Sequence, residues 1–128
     1  MALQQITTND IAARLVSLCR EGNFETAQRE LYAADAINIE PYGNETFAKE
    51  TKGLDAILEK GRRFGAMIVA VHSVAVSDPL VAGQAFACAM QLDVTIKGHG
   101  RMTLDELCVY EVKGGKVVSE RFTSRFPV

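Results

Sequence analysis

Acidic and basic side chains interrupt the apolar faces of three predicted β-strands in this chain. When alternate residues of 102–112 are taken as one face, Glu106 stands among five apolar residues. Glu120 interrupts the apolar face of the last predicted strand, and His72 interrupts that of an earlier strand. A carboxylate that points into an apolar interior needs a cation, a proton or a chemical role. The pattern therefore predicts an inner surface that can hold and transfer protons.

Two long strands joined by a tight turn position Glu106. Residues 84–96 alternate between a fully apolar face and a small or polar one, which is typical of a strand buried on one side. Two glycines in residues 97–100 favour a turn, and a second strand follows from residue 101. A Gly-Gly pair at residues 114–115 predicts a further hairpin, after which a last strand runs over residues 117–126.

Three amphipathic helices are predicted in the first half of the chain. The first is capped by Thr8 or Asn9 and ends at Gly22. The second is capped by Asn23, and the third begins at Gly53.

The order of the predicted elements indicates the fold class. A short strand over residues 36–39 and an exposed loop over 44–52 separate the second helix from the third, and a strand over 67–76 follows. We expect one α+β domain over residues 1–128, in which a strongly curved antiparallel sheet forms a cone closed by three helices. The narrow end of such a cone fills with side chains, whereas the wide end can stay open as a pocket.

The inward faces of these elements predict the residues of the pocket wall. Ordinary core packing is the alternative for the apolar members, and the tyrosines are expected to form wall rather than to act as catalytic acids. The predicted substrate-binding residues are His72, Glu120, Tyr42, Phe64, Met67, Phe86, Met90, Tyr110 and Phe122.

The composition excludes several classes of protein. The chain has 128 residues, of which 48% are hydrophobic, and a formal net charge of -2, which suits one substantial core and provides no basic surface for nucleic acid. Because no apolar run could span a bilayer and no signal pattern is present, we expect no membrane association and a cytoplasmic location. Three cysteines without a CxxC pair predict free thiols, and neither a metal nor a cofactor is expected.

Two segments resemble the nuclear-transport-factor-2-like superfamily, most closely its ketosteroid isomerase and SnoaL-like polyketide cyclase branches. They are YAADAINIEPYG at residues 32–43 and GKVVSER at residues 115–121. The element order and the chain length match that superfamily throughout. The resemblance implies a cone that hosts enzymes, binding modules and scaffolds alike, so fold does not decide activity.

The resemblance also implies roles for individual acids. In the ketosteroid isomerases the acid directly before the proline is the general base, and here Glu40 precedes Pro41. A second, protonated acid of that family matches Glu106 if the following hairpin is one residue longer, and Leu107 without that gap. The oxyanion tyrosine of the family falls near Leu15, so steroid isomerisation itself is not expected.

Acid chemistry is consistent with this assignment. Two carboxyl groups in one apolar cavity do not ionise alike, because the better solvated group loses its proton first. Glu40 near the pocket mouth suits a base, and Glu106 in mid-strand suits a neutral donor. The alternatives are that Glu106 forms a buried ion pair and that Glu40 is a solvated loop acid. The candidate partners in that ion pair are Arg62, Arg63 and Arg121.

Three functions remain open from the sequence. The first is a cofactor-independent isomerase or cyclase that acts on a small, largely apolar carbonyl compound. The second is a non-catalytic module that binds a hydrophobic ligand, and the third is a dimerising scaffold with a filled cone. A homodimer is expected in any case, because the outer face of the sheet is small and partly apolar. The residues of that face are Ala85, Ala87, Ala89, Leu107 and Val109.

Overall fold

Three helices and one curved sheet of seven strands make up the described part of the protein. A computed structural model describes residues 6–124. The helices are α1 (Thr8–Arg20), α2 (Phe24–Leu31) and α3 (Leu54–Met67). The strands are β1 (Tyr32–Ile39), β2 (Glu50–Lys52), β3 (Ile68–Val76), β4 (Leu80–Ala82), β5 (Ala85–Ile96), β6 (Gly100–Lys113) and β7 (Lys116–Phe122). This architecture confirms the predicted α+β class.

The sheet is mixed rather than wholly antiparallel. Its strands follow the order β2-β1-β7-β6-β5-β3, and β4 also pairs with β5. The first strand lies parallel to the last, with Asn38 opposite Glu120, while the other pairs are antiparallel. Parallel neighbours require a long connection, and here residues 40–115 lie between the two strands. This pairing brings residues from both ends of the chain onto one inner face.

The long hairpin of β5 and β6 has the predicted alternation. Phe86 pairs with Tyr110 and Met90 with Glu106, so these side chains share the inner face. The helices cover that face, and α1 buries Ile11 and other apolar residues in the same core. Period two thus determines which side chains of these strands meet the helices.

Several element boundaries differ from the predictions for local reasons. The first helix is capped by Thr7, not by Thr8 or Asn9, because Thr7 and Asp10 form a reciprocal capping box. The side chain of Asn23 caps nothing and instead donates to Glu21.

Backbone pairing accounts for the other differences. Residues 50–52, predicted as loop, form β2 along the edge of β1. The Gly-Gly hairpin has the predicted two-residue turn with positive φ at both glycines. The last strand ends at Phe122, and its predicted extension to residue 126 lies partly outside the described residues, as does most of the predicted lead-in over residues 1–7. Within residues 6–124, no helix has the length and apolar character that crossing a membrane requires.

Gly43 and Gly65 provide a matched test of local packing. A Cβ atom on Gly43 would lie 2.6 Å from the backbone nitrogen of Lys49, whereas one on Gly65 meets nothing within 4 Å. We expect Gly43→Ala to lower the free energy of unfolding by about 1–3 kcal/mol, because backbone must move. Gly65→Ala, within α3, should raise it by about 0.5–1 kcal/mol. Urea unfolding measures both, and equal effects would contradict the described loop.

Candidate functional site

A cavity of about 280 Å³ lies between the three helices and the inner face of the sheet. Its wall is largely apolar, and residues 40–47 contribute to it where β1 ends. Three acids, Glu40, Glu106 and Glu120, line this one space. The cone is therefore not completely filled by its own side chains.

Glu106 faces the cavity without a cationic partner. Leu107, the alternative match, is 54% exposed on the outer face. Among the described residues no ion pair includes Glu106, and the Cys108 thiol donates to its Oε1 at 3.6 Å. Burial, with the charge of Glu40 acting in the same direction, raises the pKa of Glu106 to about 7, although the bond from Cys108 acts in the opposite direction.

The arginines proposed as partners of Glu106 are all engaged or directed elsewhere. Arg62 pairs with Glu25 and Glu59 on the helical side of the molecule. The Arg63 guanidinium lies over the ring of Phe47, 5.8 Å from its centroid. Arg121 is opposite Val109 on the outer face of the sheet, so residues 6–124 contain no buried ion pair at Glu106.

Glu120 is 1% exposed and is held by two donors. The Tyr32 hydroxyl donates to Oε1, and Asn38 Nδ2 donates to Oε2 at 2.7 Å. Burial raises the pKa of Glu120 to about 7, although the bonds from Tyr32 and Asn38 act in the opposite direction. The side chain therefore points inward as predicted, but both of its oxygens are already bonded.

Glu40 forms an ion pair with Lys60 at the cavity wall. Nζ of Lys60 lies 3.3 Å from Glu40 Oε1, and the two side chains are only 12% and 20% exposed. The same ammonium donates to Asn38 Oδ1 at 2.6 Å and to the Ala48 carbonyl at 3.1 Å. Glu40 is thus part of an ordered polar cluster and not a freely solvated loop acid.

The apolar wall agrees with most of the predicted residues. Five of them line the cavity: Tyr42, Phe64, Met90, Tyr110 and Phe122. Phe86 lies behind this wall, where its ring stacks on Tyr110 with centroids 4.7 Å apart. Met67, the last residue of α3, is also outside the lining, because Ile68 occupies that part of the wall. Phe86 and Met67 are therefore corrected to supporting positions.

His72 is corrected to the outer surface. The register of β3 against β5 shifts between Val71 and Ser73, so an extra residue is accommodated at His72. The imidazole is exposed, and its Nε2 lies 2.7 Å from Thr95 Oγ1 on the polar face of β5. A period-two count cannot detect such a bulge and therefore assigned His72 to the wrong face.

Sequence reasoning missed Asn38 and Lys60, and it treated Tyr32 only as wall. Asn38 alternates with Ala36 and Glu40 along β1, so strand periodicity contained a signal for it. Lys60 lies three residues after the buried Ile57 on α3, which places both on adjoining parts of one helix face. No periodic signal links Lys60 to Asn38, because their contact joins two different elements.

Two carboxyl groups in different environments can transfer protons between a substrate and the protein. Glu40 has a cation beside it, whereas Glu106 has an apolar setting and a raised pKa. Such a pair provides one acceptor and one donor of protons within a space that excludes most water.

Comparison with known proteins identifies the family. A family model described as SnoaL-like domain matches residues 6–124. The chain belongs to the SnoaL-like family. A crystal structure from Mesorhizobium loti of a candidate SnoaL-like polyketide cyclase [carbohydrate phosphatase] is 32% identical, with a TM-score of 0.84, 91% of this chain covered and 97% of that one. A search of curated proteins finds no match.

Less similar solved structures share the fold of this SnoaL-like protein. One is a protein of unknown function with a cystatin-like fold from Xanthomonas campestris, at 18% identity, with a TM-score of 0.77, 93% of this chain covered and 91% of that one. Another, from Catenulispora acidiphila, has a ketosteroid isomerase-like fold and was solved in complex with trimethylamine. It is 21% identical, with a TM-score of 0.68, 91% of this chain covered and 85% of that one. The predicted superfamily is therefore confirmed.

The raised pKa of Glu106 predicts a pH-dependent stability. Glu106 binds its proton more tightly in the folded protein than in the unfolded chain. Its contribution to the free energy of unfolding is therefore fully present below about pH 4.5 and is lost as the pH rises through about 7. Between these limits, Glu106→Gln should gain up to about 3 kcal/mol of unfolding free energy relative to the unmodified protein. Urea unfolding at both pH values measures this gain. Glu111→Gln, on the exposed face of the same strand, should show none, and a pH-independent difference would contradict the assignment.

Proposed function

We propose that this SnoaL-like protein is a cofactor-independent isomerase or cyclase that moves a proton next to the carbonyl of a small, largely apolar substrate. The observation that carries the proposal is the pair of unlike acids on one apolar wall. Glu40 is ion-paired with Lys60, and Glu106 lies in the same cavity without an ion pair to any residue of 6–124. This arrangement supplies the base and the donor that enolisation requires.

The proposed step uses Glu40 and Glu106 in complementary roles. The Glu40 carboxylate accepts a proton from the carbon next to the carbonyl. The C–H electron pair becomes the C=C π bond and the C=O π pair moves onto the oxygen, which gives an enolate; Glu40 then returns the proton to carbon. Glu106, protonated in its apolar surroundings, donates a hydrogen bond to the oxygen on which charge develops. Leu15 lines the cavity near the position where the ketosteroid isomerases have their oxyanion tyrosine, and it has no hydroxyl to donate. We therefore assign the donor role to Glu106.

The remaining polar groups are assigned to support of the site. Both oxygens of Glu120 accept bonds from Tyr32 and Asn38, so this acid orders the inner wall. Tyr42 contributes to the lining from the loop after β1, where a substrate enters. The cavity volume of about 280 Å³ is near the lower end of the range for small-molecule sites, which favours a compact substrate.

The proposal is tested by proton exchange rather than by guessing the natural substrate. Small ketones and 1,3-dicarbonyl compounds are incubated with the protein in D₂O, and deuterium incorporation next to the carbonyl is followed by NMR. Glu40→Gln should lower exchange by about 10²–10⁴-fold, since the base is lost while shape is kept. The affinity for the ketone should change by less than about threefold.

Two controls separate an enzyme from a binding module. Glu111→Gln removes an exposed acid outside the cavity and should retain full exchange. Ligand binding without exchange in the unmodified protein would instead favour the non-catalytic module.

We also propose that the protein acts as a homodimer through an outer patch formed by Leu80, Ala87, Ala89, Leu107 and Val109. Ala87 is paired with Leu80 on one side and Val109 on the other, and Ala89 is opposite Leu107, so the patch is continuous across three strands. Leu80 and Leu107 are 79% and 54% exposed. A second copy can cover such a surface by a twofold, self-complementary contact.

Leu107→Lys tests the outer patch. A charge at its centre should convert the dimer to monomer by sedimentation velocity, because two like charges would meet across the twofold axis. Val69→Lys places the same charge on an exposed valine of β3 outside the patch and should leave the dimer intact. A monomeric unmodified protein would contradict the proposal.

A further inference from the structure

We propose that Lys60 is the positioning residue of this site: its ammonium group fixes the Glu40 carboxylate at the cavity wall and ties the following loop over it. The inference rests on the proposed function, in which Glu40 is the base. Lys60 itself is not assigned contact with the reacting atoms.

The contacts of Lys60 join three segments of the chain. Three protein oxygens lie within 3.3 Å of Nζ, contributed by Asn38, Glu40 and Ala48. They belong to β1, to the residue that follows it, and to the loop before β2. A side chain from α3 thus connects the helix to the strand end and to the loop that contributes to the cavity wall.

The number of these contacts argues against a direct role in substrate binding. An ammonium group has three protons and no acceptor, and three protein oxygens already surround it. Its influence therefore passes through Glu40, whose Oε1 it contacts at 3.3 Å. Asn38 connects Lys60 to a second acid, because its Oδ1 accepts from Lys60 and its Nδ2 donates to Glu120 at 2.7 Å.

The charges around Glu40 make Lys60 important for the pH range in which the proposed reaction takes place. The titratable groups that share the cavity with Glu40 are Lys60, Glu106, Glu120, Cys19, Tyr32, Tyr42 and Tyr110. Lys60 is the cation in this set, and all the other members are acids. Without it, the negative charge on Glu40 would face two further carboxyl groups in poorly solvated surroundings, where a carboxylate that lacks a cation is disfavoured.

The experiment compares Lys60→Gln, Lys60→Arg and the control Lys52→Gln. Lys52→Gln removes the same charge from an exposed residue of β2 outside the cavity. In the exchange assay, Lys60→Gln should lower kcat by at least about tenfold with KM within about threefold, and it should move the acidic limb of the pH–rate profile to higher pH. Lys60→Arg keeps the charge and should restore the position of that limb, and Lys52→Gln should match the unmodified protein.

The possible outcomes decide the two proposals separately. A rise in KM alone for Lys60→Gln, or a pH profile that does not move, would overturn the positioning role. If the unmodified protein shows no exchange, the proposed function fails, and the role of Lys60 is judged by carboxyl ¹³C NMR instead. A changed carboxyl ¹³C chemical shift of Glu40 at constant pH in Lys60→Gln, but not in Lys60→Arg or Lys52→Gln, supports positioning, whereas an unchanged shift refutes it. Urea unfolding of each variant identifies any loss of the fold.

Discussion

Burial of carboxyl groups on the inner face of a curved sheet is the constraint on which the rest of this structure depends. Glu106 and Glu120 occupy positions where strand periodicity directs the side chain inward. An apolar side chain at either position would pack without the free-energy cost of burying a charge. The protein accommodates each acid differently. Glu106 lies in an apolar setting that raises its pKa, whereas Glu120 is fully bonded to Tyr32 and Asn38. One sheet thus holds one acid that is available to a ligand and one that is already engaged.

A second level of organisation comes from the mixed pairing of the sheet. Because β1 lies parallel to β7, Asn38 is opposite Glu120 and Glu40 reaches the same cavity. The helix α3 then inserts Lys60 between the strand end and the loop. The polar cluster is therefore assembled from the first strand, the last strand and a helix, and it gives Glu40 and Glu106 unlike surroundings in one small space.

The membership of the SnoaL-like family constrains the architecture more than the chemistry. The match covers residues 6–124, and the relative from Mesorhizobium loti has nearly the same fold over nearly the same length. A cone of this kind serves several functions, so the chemistry of the cavity depends on individual side chains. Leu15 and Lys60 are the informative ones here. The first supplies no hydroxyl to the cavity, and the second gives Glu40 a partner that a solvated loop acid would not have.

The sequence by itself determined the fold class and the inward direction of Glu106 and Glu120, because alternation along a regular strand assigns each side chain to a face. It could not place His72, since a bulge in β3 changes the face without changing the local residue pattern. It also could not show that β1 pairs with β7 or that Lys60 meets Asn38 and Glu40. Those contacts join residues far apart in the chain, and they exist only after the sheet has closed and the helices have packed, because hydrogen bonds and ion pairs depend on distance and not on order along the chain.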